Sequence, residues 1–305
     1  MNGLPPELPA STLDAGGAWD RLLGVRTAAD AEVAGLFRDE QGRHRWRGGA
    51  TAQADFLADL YVPLCLAGPR FALAQLGQSL DGFIATRKGD ADYVTDLEDR
   101  EHLHRLRALS DAVVVGAGTA VADDPRLTVR ACPGPHPVRV VLDPHGRVPL
   151  TRQVFTDGAA PTLWVVGAAV ELGRAAEDGL ADNGVDVLVL PDSAAFSPGR
   201  LLHELARRGL GRVLVEGGGV TVSRFLHGAA LDLLYITVAP VLIGDGVRGL
   251  AFAGHDLMRD ALRPPVRRVF LGQDTLFELD LRVSRADEPL GGEHDSAGQG
   301  GHKGQ

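Results

Sequence analysis

Nine short runs rich in Val, Ile and Leu constrain this chain most: Phe71–Leu76, Ala112–Val115, Val138–Leu142, Thr162–Val166, Val185–Leu190, Arg212–Val215, Leu233–Val238, Val269–Leu271 and Leu276–Val283. They are apolar throughout rather than alternating, so strands made from them hide both faces and need a sheet covered on both sides. Helical patterns separate most of them, whereas the last two follow no long helical segment. The pattern predicts an α/β fold, a central sheet flanked by helices with an antiparallel C-terminal ending.

The ends read differently. Residues 1–66 carry short apolar patches such as Trp19–Leu23 and Asp55–Leu60 around a polar stretch, Arg38–Gly49, and no chemistry attaches to them. They are read as an N-terminal extension, residues 67–286 as the main unit, and residues 287–305 as a tail. That tail is Gly-rich with hardly any apolar side chain to offset the entropy of ordering it, so disorder is expected there.

Composition excludes several function classes. The net charge is −9, with 31 basic against 40 acidic residues, which lacks the basic footprint of a nucleic-acid partner. The 2 cysteines, Cys65 and Cys132, make neither a disulfide framework nor a thiolate metal site. The 10 histidines lack metal-ligand spacing, so no metal is expected. MNGLPPELPA is no export leader and no run is long enough for a membrane span, so a cytoplasmic, soluble protein is expected. Lys88 and Lys303 are the only lysines and neither sits in a Walker A sequence; no G-x-S-x-G or H-E-x-x-H occurs.

Two glycine loops remain. Arg212–Val215 runs into Glu216-Gly217-Gly218-Gly219-Val220-Thr221 and then a helical stretch closing at Gly228. Free amides and a positive helix end without side chains in the way make a cradle for a nucleotide phosphate. The plain β-to-α turn is the alternative, yet such a turn seldom needs three glycines. Val115-Gly116-Ala117-Gly118-Thr119 starts like a dinucleotide fingerprint, but Val121 and the nearby Pro125 depart from it. Asp123, Asp124, Arg126 and Arg130 follow, with Arg107 upstream and Glu216 beside the triple glycine. Arginine forks suit a sugar phosphate and a cleft carboxylate suits proton transfer; a surface ion-pair network is the bland alternative. Thr95-Asp96-Leu97-Glu98 reads as a capping box that starts a helix at Thr95, and Ser197-Pro198 to Gly209 frames another.

Residues 69 to about 253 resemble the reductase domain of the bifunctional riboflavin-biosynthesis deaminase-reductase family. The resemblance is carried by Ser79-Leu80-Asp81-Gly82, His104–Ala112, Val115–Thr119, Ala122–Arg130, Pro137–Asp143, Val215–Gly218 and Ala239–Gly244. It implies a dihydrofolate-reductase-like fold, NADPH as cofactor, a homodimer, and reduction of the ribosyl group of a phosphoribosylaminopyrimidine to ribityl. By position, Gly77, Tyr93, Gly116, Gly118, Thr119, Asp123 and Gly217, Gly218, Gly219, Val220 and Thr221 are expected to line the cofactor. Arg107, Leu127, Arg130 and Glu216 are expected to hold the substrate, and Asp123 is the expected catalytic group. Ser223 or Arg224 is expected to meet a ribose 2′-phosphate.

The chain departs from the family at Gln75, where Lys is common, and at Ala91 and Tyr93, where Ser and Trp stand. The zinc-deaminase signatures H-x-E and P-C-x-x-C do not occur in it. The leading expectation is therefore an NADPH-dependent 5-amino-6-(5-phosphoribosylamino)uracil reductase. A same-fold reductase of a pterin or other aminopyrimidine-derived metabolite is the alternative, and a non-catalytic nucleotide-binding protein stands third.

Overall fold

The computed structural model describes residues 12–91, 94–171, 173, 179–251, 254 and 256–282. Tyr93, Val283 and the tail expected to be disordered lie outside the described residues.

A small hairpin of β1 (Leu36–Arg38) and β2 (His44–Trp46) precedes the strands of the main sheet. These are β3 (Phe71–Ser79), β5 (Ala112–Gly116), β6 (Val138–Asp143), β7 (Thr162–Gly167), β8 (Val185–Leu190), β9 (Arg212–Val215), β10 (Leu233–Ala239), β12 (Val266–Leu271) and β13 (Asp274–Asp280). Their order is β12-β13-β10-β3-β9-β5-β6-β7-β8. The strands from β10 to β8 run parallel, and β13 and β12 close the sheet antiparallel, as their chain positions predict. A separate antiparallel pair, β4 (Phe83–Thr86) with β11 (Gly246–Arg248), stands beside it.

Both faces are covered over the central strands. The edge strands β8 and β12, expected to be hidden on both sides, instead expose Val189, Val266 and Phe270, because no described element packs over the sheet margin there. Ala72, Ala74, Val114, Val213 and Val215 point into one apolar cluster with Leu201, Leu205, Val222 and Phe225 of the helices Pro198–Arg207 and Gly219–His227. Leu73, Val113, Val115 and Leu214 point into the other, under helix Leu97–Leu109. The N-terminal helices Ala15–Leu23 and Ala52–Cys65 join that second cluster through Trp19, Leu22, Leu57 and Tyr61. Each fully buried side chain of this size contributes about 1.5–3 kcal/mol. Residues 12–66 thus extend the core of the sheet instead of standing apart, and the Trp19 indole donates to the Pro133 carbonyl at 2.7 Å.

One helix start differs from expectation. The helix begins at Leu97 with Asp96 as its cap, the Asp96 carboxylate accepting from the Leu97 amide at 2.8 Å. Thr95 does not cap it, because its hydroxyl is engaged with the buried Asp99 carboxyl. The Asp96 amide is drawn in turn to Asp274 at 2.7 Å. Tertiary partners shift the boundary by one residue.

Candidate active site

Parallel strands place their carboxyl ends along one rim, and ligands of open α/β sheets bind there. A cleft of about 780 Å³ lies beyond β3, β5, β6 and β9. Both glycine loops border it, one after β5 and one after β9. They are tied together: the Gly218 amide donates to the Thr119 hydroxyl at 2.8 Å.

The glycines differ in what they do. A Cβ on Gly116 would come within 2.5 Å of the Thr221 hydroxyl, and Gly217, at φ +97°, would meet Thr119 at 2.7 Å. Those two let the loops close on each other. Gly219 serves packing instead, since a Cβ there would lie 1.5 Å from the Gly249 carbonyl, and Gly219 does not border the cleft. Helix Gly219–His227 starts without a side-chain cap; the Thr221 amide turns back to the Gly218 carbonyl at 3.0 Å, which leaves the Gly219 and Val220 amides as the open donors of its first turn.

Of the residues expected at the cofactor, Gly77, Gly116, Gly118, Thr119, Asp123, Gly217, Gly218, Val220 and Thr221 border the cleft. Tyr93 falls outside the described residues. Of those expected at the substrate, Arg107, Leu127 and Glu216 border it and Arg130 does not. Arg107 and Glu216 form a buried two-pronged ion pair, Nε to Oε1 at 2.8 Å and Nη2 to Oε2 at 2.6 Å. The third nitrogen, Nη1, donates to the Thr128 carbonyl at 3.1 Å. Burial works against the Arg107 charge, but the facing Glu216 outweighs it and keeps the guanidinium protonated. Ser223 turns inward to accept from the Ala251 amide at 2.9 Å, whereas Arg224 borders the cleft.

The segment after helix Ala117–Asp123 holds two non-glycine residues in left-handed backbone, Asp124 at φ 43° and Leu127 at φ 57°. Such residues cost about 1–3 kcal/mol each and persist where surroundings hold them. Asp124 is fixed by Gln153, whose amide donates to its carboxylate at 2.7 Å, and Leu127 is almost fully buried. Asp123 precedes this strained turn and opens onto the cleft. Desolvation by the cleft walls pushes its carboxyl above the usual carboxylate range.

The reading of the motifs passed over the loop after β6. Pro144, His145 and Arg147 border the cleft, and their signal was their place at the carboxyl end of a parallel strand. His145, Arg147 and Arg224 are exposed and have no carboxylate partner among the described residues. The apolar wall is Phe196, Phe225 and Val247. A smaller hollow of about 420 Å³, lined by Thr95, Arg100, Pro240 and Gln273 among others, shares none of the cleft's residues. No metal-binding cluster occurs and no helix is long and apolar enough to cross a membrane, among the described residues.

Residues 70–263 match the RibD C-terminal domain family. The riboflavin biosynthesis protein RibD of Aquifex aeolicus is 36% identical over 202 residues, 66% of this chain and 54% of that protein, so the chain spans about half the length of that relative. The 2,5-diamino-6-ribosylamino-4(3H)-pyrimidinone 5′-phosphate reductase of Methanothermobacter thermautotrophicus is 34% identical over 218 residues, 70% of this chain and 98% of that protein. The fold matches the crystal structure of a diaminohydroxyphosphoribosylaminopyrimidine deaminase/5-amino-6-(5-phosphoribosylamino)uracil reductase from Thermotoga maritima. The TM-score is 0.59 at 26% identity, covering 75% of this chain and 61% of that one. A reductase family of this kind brings a nicotinamide cofactor, and the paired glycine loops and the uncapped helix fit one. The chain belongs to the RibD C-terminal domain family.

Proposed function

We propose that this chain reduces the ribosyl group of a phosphoribosylaminopyrimidine, 5-amino-6-(5-phosphoribosylamino)uracil, to ribityl with NADPH. The observation that carries the reading is the Thr119–Gly218 bond, which joins two glycine loops beside Asp123 at one cleft. A bound nicotinamide supplies the hydride. Opening the ribose leaves an imine between C1′ and the exocyclic nitrogen. Hydride addition at C1′ moves the C=N pair onto that nitrogen, which takes up one proton. Asp123 is the group that hands over that proton: the cleft walls raise its pKa, and its exposure lets it recharge from solvent.

The proposed cofactor residues are those of the glycine loops with Gly77 and Tyr93. Arg147 and Arg224 supply the cations for a ribose 2′-phosphate, with the His145 ring beside them, which supports NADPH over NADH. Leu127 and the Arg107–Glu216 pair build the substrate wall, because the arginine fork is already occupied. Arg130, whose Nη1 donates to the Thr128 hydroxyl at 2.7 Å and which has no carboxylate partner among the described residues, is the arginine proposed for the sugar phosphate, reached from beyond the cleft's border. Partial burial and then the neighbouring Arg107, Arg126 and Arg100 charges lower its pKa, a crowding that a phosphate dianion relieves. Residues 67–286 are proposed as the reductase unit, acting as a cytoplasmic homodimer.

Oxidation of NADPH by the purified chain, followed by loss of nicotinamide absorbance with the aminouracil as substrate, tests this. Saturable turnover is expected. Tight NADPH binding without reduction of either this substrate or its diamino counterpart would overturn the substrate and favour a dihydropterin.

A further inference from the structure

Beneath the cleft lies a polar cluster with no place in the reaction as described. Gln75 and Gly77 sit on one face of β3, and Tyr235 and Thr237 are their register partners on β10. Helix Leu97–Leu109 lays Asp99 over them. The Gln75 side-chain nitrogen donates to both Asp99 oxygens, at 3.2 and 3.3 Å, and the Thr237 hydroxyl donates to Oδ1 at 2.6 Å. The Thr95 hydroxyl is also engaged with Asp99. Asp99 is 3% exposed and Thr237 0%, so this carboxyl is held by neighbours rather than water. A buried carboxyl is costly unless satisfied, and Asp99 has donors from three elements. Gly77 seals the arrangement, since a Cβ there would press within 2.7 Å of Thr95.

Gln75 borders the cleft while Asp99 does not. A side-chain amide has a donor end and an acceptor end. The donor end is spent on Asp99, and no described residue donates to Oε1. Resting on the pyrimidine-reductase reading, we propose that Asp99 is a positioning residue: it fixes the Gln75 amide with Oε1 toward the cleft, as an acceptor for an N–H of the bound aminopyrimidine. An ionised carboxylate only accepts, so it permits one orientation of the amide. Burial raises the Asp99 pKa, which the three donors oppose. A site built around a fixed acceptor binds a ring that offers N–H there and disfavours one that offers a carbonyl.

The test is calorimetric binding of 5-amino-6-(5-phosphoribosylamino)uracil and of its 2,5-diamino counterpart, with KM for pyrimidine and NADPH alongside. Asp99→Asn keeps the shape but lets the amide turn round. It is expected to weaken pyrimidine binding about tenfold, the value of one hydrogen bond, without moving the KM for NADPH. Gln75→Glu with Asp99→Asn exchanges carboxylate and amide across the same contact and restores an acceptor at the cleft, so binding should recover. Thr237→Val, which removes one donor to Asp99, serves as a second variant if Asp99→Asn fails to fold, and should weaken pyrimidine binding in the same direction. Undiminished binding in Asp99→Asn, a matching rise in the KM for NADPH, or no recovery in the exchanged pair would overturn the inference alone. Wild type binding neither pyrimidine would remove the underlying reading and the inference with it.

Discussion

The Thr119 hydroxyl accepts the Gly218 amide across a 2.8 Å bond, and that contact joins the turn after β5 to the turn after β9. Thr119 also fills the space beside Gly217, where a side chain would collide with it. Neither loop forms the cradle alone. The glycine-loop end of the cleft therefore depends on a side chain from one loop holding the backbone of the other.

Thr119→Val keeps the volume and removes the acceptor, leaving the Gly218 amide to find water. The KM for NADPH should rise about fivefold to tenfold, the net value of one hydrogen bond. Thr119→Ser should stay near wild type. Equal behaviour of the two variants would mean that the bond does not hold the loop.

Arg107 and Glu216 are 7% and 4% exposed, so removing one partner strands a buried charge. Glu216→Gln should lower the unfolding free energy in urea by about 3–5 kcal/mol. Replacing both by apolar residues should cost much less. If the two costs were equal, the pair would be acting as two independent residues.

Two buried histidines set an acid limit. Burial and then nearby arginines lower His102 to about 3 and His104 to about 4, against an ordinary value of 6.5. The folded state therefore resists protons that the unfolded state binds. Stability is complete above about pH 6.5 and declines as pH falls toward 4, with a slope approaching two protons. The raised carboxyls Asp99, Asp123 and Asp274 work in the opposite direction, because the folded state binds their protons more readily than the unfolded state does. Urea midpoints between pH 7 and 5 check the slope. His104→Gln, which keeps an acceptor for the Arg130 amide, should reduce it by about one proton.

Arg147→Glu and Arg224→Glu should each raise the KM for NADPH by about tenfold or more while changing that for NADH little, because only the phosphorylated ribose meets the cations. Indifference to cofactor would move the 2′-phosphate away from the loop after β6.

The sheet was legible because apolar runs such as Val113–Val115 and Val213–Val215 have no other use than burial on both faces. The meeting of the two glycine loops at the strand ends was legible, though not their division of labour: Gly219 packs against the Gly249 carbonyl, a contact 30 residues away in sequence, and does not border the cleft. Asp99 lies in the charged stretch Leu97-Glu98-Asp99-Arg100-Glu101, which reads as a solvated helix face. Only the register of β3 with β10 brings Gln75 and Thr237 beneath it. Thr95 failed as a cap for the same reason, since its partner Asp99 competes with the helix end. Arg107 reads either as a fork for a sugar phosphate or as one half of an ion pair, and nothing local announces that its partner is Glu216, 109 positions on.

The central claim is hydride delivery to the sugar carbon in this cleft. Incubation with NADPH deuterated at the transferring C4 position, followed by mass spectrometry of the pyrimidine product, tests it most directly. One deuterium is expected at C1′ of a ribityl chain, formed at a rate that Asp123→Asn depresses by a hundredfold or more (roughly the low end of general acid catalysis) while cofactor affinity holds. Cofactor binding with no deuterium in the pyrimidine, or equal loss of rate and affinity in Asp123→Asn, would contradict it.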